Sequence, residues 1–209
     1  MNNRFAPRDV TVSIVSPSGA TDSVELSQET AFNVVDGEVL EDGSVKLFGE
    51  QGTRVTLKDA YRCLTLTLTL GEKHFGDAGQ LWVQGAIGGV NIYNQLSLGG
   101  NTRIRTDGNM ADESATSAYK SSTYSITKDE LNAMTTYEYG FKPNAEDAKL
   151  LDMWFKVNGT EKKSHTGNNP FFYDPSVVNY YFGFYSKTTD GSWYVVETCD
   201  ITVNAEPYL

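Results

Sequence analysis

His74 and His165 are the chain's two imidazoles, the first in Gly71-Glu-Lys-His-Phe-Gly76 and the second beside Ser164. A nucleophilic triad needs a strained serine turn and a base held by an acid, and no Gly-x-Ser-x-Gly elbow is present. The two histidines have no metal-pair spacing and read as exposed loop residues. Glycosidase chemistry asks only for two carboxylates on facing elements. Asp152 and Glu197 stand on strand-like segments where they could face a cleft, although outward charges that guard a sheet are the simpler reading. Asp107, Asn109, Asp112 and Glu113 crowd together as Ca²⁺-type oxygens but lack the EF-hand spacing, and read as a solvated acidic loop. Neither a phosphate-binding Gly-Lys-Ser/Thr run nor a dinucleotide fingerprint occurs. The expectation is a protein that is not an enzyme, with no cofactor and no metal.

Cysteine chemistry is equally spare. Cys63 and Cys199 lie far apart on strand-like segments, make no zinc signature, and read as buried free thiols. A disulfide between them requires their strands to pack face to face. Aromatic side chains offer more. A sugar stacks its C–H face on an open ring, and the run Phe171-Phe172-Tyr173, with Tyr181 and Trp193, supplies candidate platforms. Trp82, Trp154 and Trp193 also read as core anchors. The same ring types enrich protein–protein interfaces, a third reading.

The elements that must position these groups are strands. Tyr61-Arg-Cys-Leu-Thr-Leu-Thr-Leu-Thr-Leu70 alternates leucine and threonine, so Leu64, Leu66, Leu68 and Leu70 share one face. Such a stripe needs a second layer over it. A lone threonine row is too little for an ice-binding face. A membrane-inserting hairpin with Leu81–Ile87 competes with a central strand of a sandwich, and the sandwich is the simpler reading. Asp9–Val15 alternates, Pro17-Ser-Gly19 turns the chain, and Val24–Leu26 and Thr30–Val35 are short strand candidates. Asp42-Gly43 predicts a two-residue turn between Val39-Leu40-Glu41 and Ser44–Phe48, and Asn158-Gly159 predicts another. Val90, Ile92, Leu96 and Leu98 are in phase, with Asn94 interrupting and Gly85, Gly88 and Gly89 suggesting a bulge. Thr127-Lys-Asp-Glu130 is a capping box that starts a helix near 128–134, with Ile126 and Leu131 as its hydrophobic staple. Asn144 is placed to cap one helical turn. Residues 164–176 read as a long loop. Val177–Ser186 and Ser192–Val203 read as one long aromatic hairpin, with Trp193, Val195 and Cys199 on one face of its second arm.

The whole is therefore expected to be all-β: an antiparallel β-sandwich, jelly-roll-like or Ig-like, of roughly ten strands with one short capped helix. A single domain over 1–209 is favoured over a boundary within the polar stretch 107–122. Apolar content of 39% supports a packed core, and a net charge of −10 argues against nucleic acid and anionic membranes. No signal-peptide core and no membrane-length apolar run is seen, so synthesis in the cytoplasm is expected. Final location on a virion or assembled particle follows if the chain is structural. Lacking catalytic constellations, the sequence points first to a non-catalytic assembly subunit, such as a capsid, decoration or spike protein, as a homo-oligomer or with other structural proteins. The alternative is a lectin-like carbohydrate-binding module taking a glycan, and third a pore-forming or glycan-active protein.

Overall fold

A computed structural model describes residues 3–87, 90–98, 102–107, 120–173 and 178–204. The chain begins with a ribbon of β1 (Arg8–Val15) and β2 (Thr21–Gln28). Then come β3 (Phe32–Val35), β4 (Glu38–Val39), β5 (Val45–Phe48), β6 (Arg54–Tyr61) and β7 (Leu64–His74). The middle holds β8 (Gln80–Ile87), β9 (Val90–Ser97), β10 (Thr102–Asp107), β11 (Lys120–Tyr124) and α1 (Lys128–Ala133). It closes with β12 (Thr136–Pro143), β13 (Leu150–Val157), β14 (Thr160–Asn168), α2 (Pro170–Tyr173), β15 (Val178–Gly183) and β16 (Trp193–Thr202).

Two seven-stranded antiparallel sheets form a sandwich. One runs β11-β10-β9-β8-β15-β6-β3 and the other β14-β13-β12-β7-β16-β5-β4. The described residues hold sixteen strands rather than roughly ten. The extra ones include the polar edge strands β11 and β14, whose sequences carry no apolar alternation because an edge has little to bury.

The Leu/Thr strand is β7, paired with β12 on one side and β16 on the other, so it is central. Leu64, Leu66 and Leu68 are fully buried while Thr65, Thr67 and Thr69 are half-buried on the outer face. The membrane-hairpin alternative fails on placement, since β8 lies in the opposite sheet. Between the sheets one hydrophobic cluster draws on both, rich in rings: Tyr137, Tyr139, Phe141, Phe155, Tyr180, Phe182, Phe184 and Tyr194. Asn94, the residue that interrupts the apolar phase of β9, faces this core. Its Oδ1 accepts from the Tyr137 hydroxyl and its Nδ2 donates to Arg103 O at 3.0 Å, so the buried amide is paired at both ends.

Turn chemistry accounts for several junctions. Asn158 and Gly159 both have positive φ (50° and 73°), the requirement of a two-residue turn between β13 and β14. The β4–β5 connection is instead a three-residue loop. Leu40 N donates to Ser44 O at 2.9 Å, Gly43 N donates to Leu40 O at 2.9 Å, and Gly43 sits at φ 80°. Only Gly43 takes the left-handed position, because the Asp42 carboxylate accepts from Ser44 N and Oγ and fixes the turn on that side. The capping box forms as expected: Thr127 Oγ1 accepts from Glu130 N at 3.1 Å and Glu130 Oε2 accepts from Thr127 N at 2.9 Å. Asn144 caps a turn rather than a helix, its Oδ1 accepting from Glu146 N and Asp147 N.

Several sequence expectations are corrected. β15 and β16 are not a hairpin. β15 lies between β8 and β6 in one sheet, and β16 between β7 and β5 in the other, so residues 184–192 carry the chain across the sandwich. Register shifts after Tyr194 and Val196 also change the phase of β16, so Cys199 joins Tyr194 and Val196 among buried residues. Residues 164–168 belong to β14 rather than to a loop, which puts His165 on a strand; His74 likewise ends β7. Cys63 and Cys199 are buried and not joined in a disulfide, and the Cys63 thiol donates to Asn204 O at 2.9 Å. The oxygen-bearing residues Asn109, Asp112 and Glu113, the Gly88-Gly89 pair and most of 107–122 lie outside the described residues.

Candidate functional site

The outer face of the β8 sheet is set by period-two alternation. Leu81, Val83, Ile92, Leu96, Tyr180 and Phe182 point inward and are fully buried. Their neighbours therefore point outward: Trp82, Gln84 and Ala86 on β8, Asn91, Tyr93 and Gln95 on β9, and Tyr181 on β15. β6 adds Arg54 and Thr56 opposite Gly183 and Tyr181. Amides, rings and hydroxyls occupy this face, and the outer faces of β8 and β9 carry no carboxylate between Trp82 and Gln95.

Three rings stand in a row across it. Tyr93 and Trp82 stack at 5.0 Å with planes 21° apart, and Trp82 and Tyr185 stack at 4.4 Å and 18°. Each such contact adds about 0.5–1.5 kcal/mol beyond the area it buries. The row shields itself from one end only: Tyr93 is 3% exposed, Trp82 8% and Tyr185 55%. Tyr185 thus presents an open ring backed by two ordered ones.

Gln84 organises the polar half. Its Oε1 accepts from Trp82 Nε1 at 2.9 Å and from the Tyr181 hydroxyl at 3.1 Å, while its Nε2 donates to Asn91 Oδ1 at 2.7 Å. The amide orientation is therefore fixed by its neighbours, leaving one N–H of the side chain for a ligand. Burial pushes the Tyr181 phenol up to about 12, against the pull of the Arg54 guanidinium 5.2 Å from the ring. Tyr181 consequently stays a neutral donor and acceptor at physiological pH. Stacking surface, oriented amides and a cation lie side by side.

The residues expected from sequence do not come together. Phe171 is 6% exposed and stacks on Phe141 at 6.2 Å, so its ring belongs to the core and cannot be a platform. Phe172 is exposed, with Lys149 Nζ 5.9 Å from its ring centre. The Tyr173 side chain lies outside the described residues. Tyr181 is on the β8 sheet, whereas Trp193 is on the β7 sheet with Lys46 Nζ 4.0 Å over its ring, beside a depression of about 190 Å³. The tryptophans are not inter-sheet anchors either; all three lie on outer faces. Trp154 lies over Gly140 on β12, where an added Cβ would meet its ring at 2.2 Å, and its Nε1 donates to Glu138 Oε1 at 2.9 Å. Beside it is an open depression of about 520 Å³ lined by Asp152, Glu161, Ser164 and Thr166 among others.

The carboxylate pair also separates. Asp152 on β13 and Glu197 on β16 are three strands apart in the β7 sheet, at least about 14 Å at the usual strand spacing, and lie toward opposite ends of β7. That exceeds both glycosidase geometries. Asp152 is instead held by Asn144 Nδ2, 3.0 Å from each oxygen, and by Thr166 Oγ1 at 2.8 Å. Among the described residues no group of three or more His, Cys, Asp or Glu could hold a metal. No described helix is long and apolar enough to cross a membrane.

The signal for the ring row was present in the sequence. Trp82-Val-Gln-Gly-Ala and Asn91-Ile-Tyr-Asn-Gln put rings and amides in the phase opposite to the buried residues. Which sheet each strand joins, and that Tyr185 folds back on Trp82, was not.

No protein-family model and no curated protein matches the sequence. Solved structures match its fold. A legume lectin-like domain from Entamoeba histolytica superposes with a TM-score of 0.55 at 11% identity, covering 84% of this chain and 91% of that one. The metal-free lectin I-B4 of Griffonia simplicifolia gives 0.50 at 9%, covering 83% and 92%. The GH43 protein BlXynB of Bacillus licheniformis gives 0.52 at 9%; the match spans 92% of this chain but only 46% of that one. The fold is an antiparallel β-sandwich similar to that of legume lectin-like domains. At such identities the likeness is one of fold, and these neighbours lend no support to the virion reading.

Proposed function

We propose that the chain is a carbohydrate-binding module that holds a neutral glycan on the outer face of the β8 sheet. The observation that carries this is the stacked row ending at the open Tyr185 ring, set beside an amide whose orientation three neighbours fix. A pyranose would lay its C–H face on Tyr185 and exchange hydroxyl hydrogen bonds with Gln84, Tyr181 and Arg54. The fold likeness to lectin domains supports the reading, and the net charge of −10 disfavours polyanionic sugars. Binding without catalysis fits a face whose central strands offer rings and amides in place of an acid and a base.

Affinity electrophoresis and calorimetry against neutral polysaccharides test it. Tyr185→Ala is expected to weaken binding roughly two- to tenfold, since one stacked ring contributes ~0.5–1.5 kcal/mol. Gln84→Ala should weaken it further. Phe172→Ala and Trp154→Ala should leave it unchanged. Retention that survives Tyr185→Ala and disappears in Trp154→Ala would move the site to the other sheet and overturn the assignment.

A further inference from the structure

The β1–β2 ribbon forms a sheet of its own, and all sixteen of its residues are exposed. Its register places Arg8 opposite Gln28, Val10 opposite Leu26, Val12 opposite Val24 and Ile14 opposite Asp22, all on one face. The other face carries Asp9, Thr11, Ser13, Ser23, Glu25 and Ser27, with Val15 at the tip. Val10, Val12, Ile14, Val24 and Leu26 are 40%, 44%, 72%, 57% and 54% exposed. Together they present roughly 450 Å² of apolar side chain, in the range where a patch marks an interaction site. A two-stranded ribbon is marginal alone in water, so this one calls for a cover.

We infer that the cover is the same ribbon of a second copy, stacked face to face and antiparallel about a two-fold axis. The face is self-complementary in that arrangement. Antiparallel stacking lays the Val10/Leu26 rung of one copy over the Val12/Val24 rung of the other, so apolar meets apolar. It also lays the root of each ribbon over the tip of its partner. Arg8, the cation at the root, then reaches the rung holding Asp22, the anion at the tip, and the symmetry makes this pairing twice. A two-fold interface needs such self-matching of one patch. The two apolar stripes bury roughly 900 Å², and the flanking polar rungs extend this toward the ~1,200 Å² at which stable interfaces begin. Contact through projecting arms also keeps the two acidic bodies apart, which limits repulsion between chains of net charge −10.

Sedimentation and light scattering of the whole chain across concentration read the result. The wild type is expected to be a dimer at about 100 µM, and Val12→Glu to shift dissociation at least tenfold toward monomer. Far-UV circular dichroism and the melting temperature of the body should be unchanged, which separates loss of docking from loss of folding. Arg8→Asp and Asp22→Arg should each weaken the dimer, and the double variant R8D/D22R should restore it. A wild type that stays monomeric at that concentration overturns the inference. So does a dimer indifferent to Val12→Glu, or single charge variants that the double variant does not rescue.

Discussion

Two hairpins of this chain have the same strand lengths and the same period, yet opposite fates. β1–β2 and β8–β9 each pair eight residues with eight, antiparallel, with apolar residues on one face. In β8–β9 that face is the core: Leu81, Val83, Ile92 and Leu96 are fully buried, and the outer face is left for rings and amides. In β1–β2 the equivalent residues stay in solvent. Alternation therefore tells which residues share a face, and says nothing about what covers it. The cover depends on where the connecting segments put the hairpin.

Alkaline titration separates the two regions most strongly. The core on which β8–β9 rests holds Tyr137, Tyr139, Tyr180 and Tyr194, all with phenol pKa raised above the ordinary 10.0, chiefly by burial. The unfolded chain releases these protons near pH 10 and the folded chain holds them beyond it. Their contribution is thus fully present below pH 10 and is lost as pH rises above it, at about 1.4 kcal/mol per pH unit for each group. Stability should fall steeply above pH 10, with tyrosinate absorbance appearing together with loss of far-UV signal. The ribbon, residues 8–28, contains no tyrosine. Ionisation of all twelve tyrosines without unfolding would show that the four rings are not sealed in the core.

Paired truncations come next. Leu96→Ala in β9 should cost ~2–5 kcal/mol of unfolding free energy, the usual range for a buried leucine. Leu26→Ala in β2 should change the monomer's stability by less than about 0.5 kcal/mol. Equal costs in urea denaturation would mean that the ribbon is covered within one chain, and would erase the contrast.

Glycines give the smallest effect. A Cβ at Gly85 would stand 2.4 Å from Tyr180 Cε1, so Gly85→Ala should cost ~1–3 kcal/mol through displacement of that ring. Gly19, in the ribbon turn, has open space around it and φ 83°. Gly19→Ala should add only about 1 kcal/mol of backbone strain and leave the melting of the body unchanged.

Much of this was legible from sequence because it is local. Leu64 to Leu70 fixed a central strand, Thr127 and Glu130 fixed a helix start, and Asn158-Gly159 fixed a turn, each through chemistry within a few residues. Asn94 looked like an interruption because its partner, Tyr137, is 43 residues away. The functional reading shifted for the same reason. Phe171 and Phe172 are adjacent in sequence, so they looked like a platform, yet one ring is in the core. The ring row draws on Trp82, Tyr93 and Tyr185, which no window of sequence contains together.

By itself the sequence determined the all-β class and the inward faces of strands such as β7, β8 and β9, since period-two burial and turn geometry are written in neighbouring residues. Only the tertiary structure decided which sheet each strand joined. It sent β15 and β16 to opposite sheets, stacked Tyr185 on Trp82, and left the β1–β2 stripe without a cover in its own chain. Those outcomes depend on long-range pairing, where the free energy comes from contacts between residues that the sequence keeps far apart.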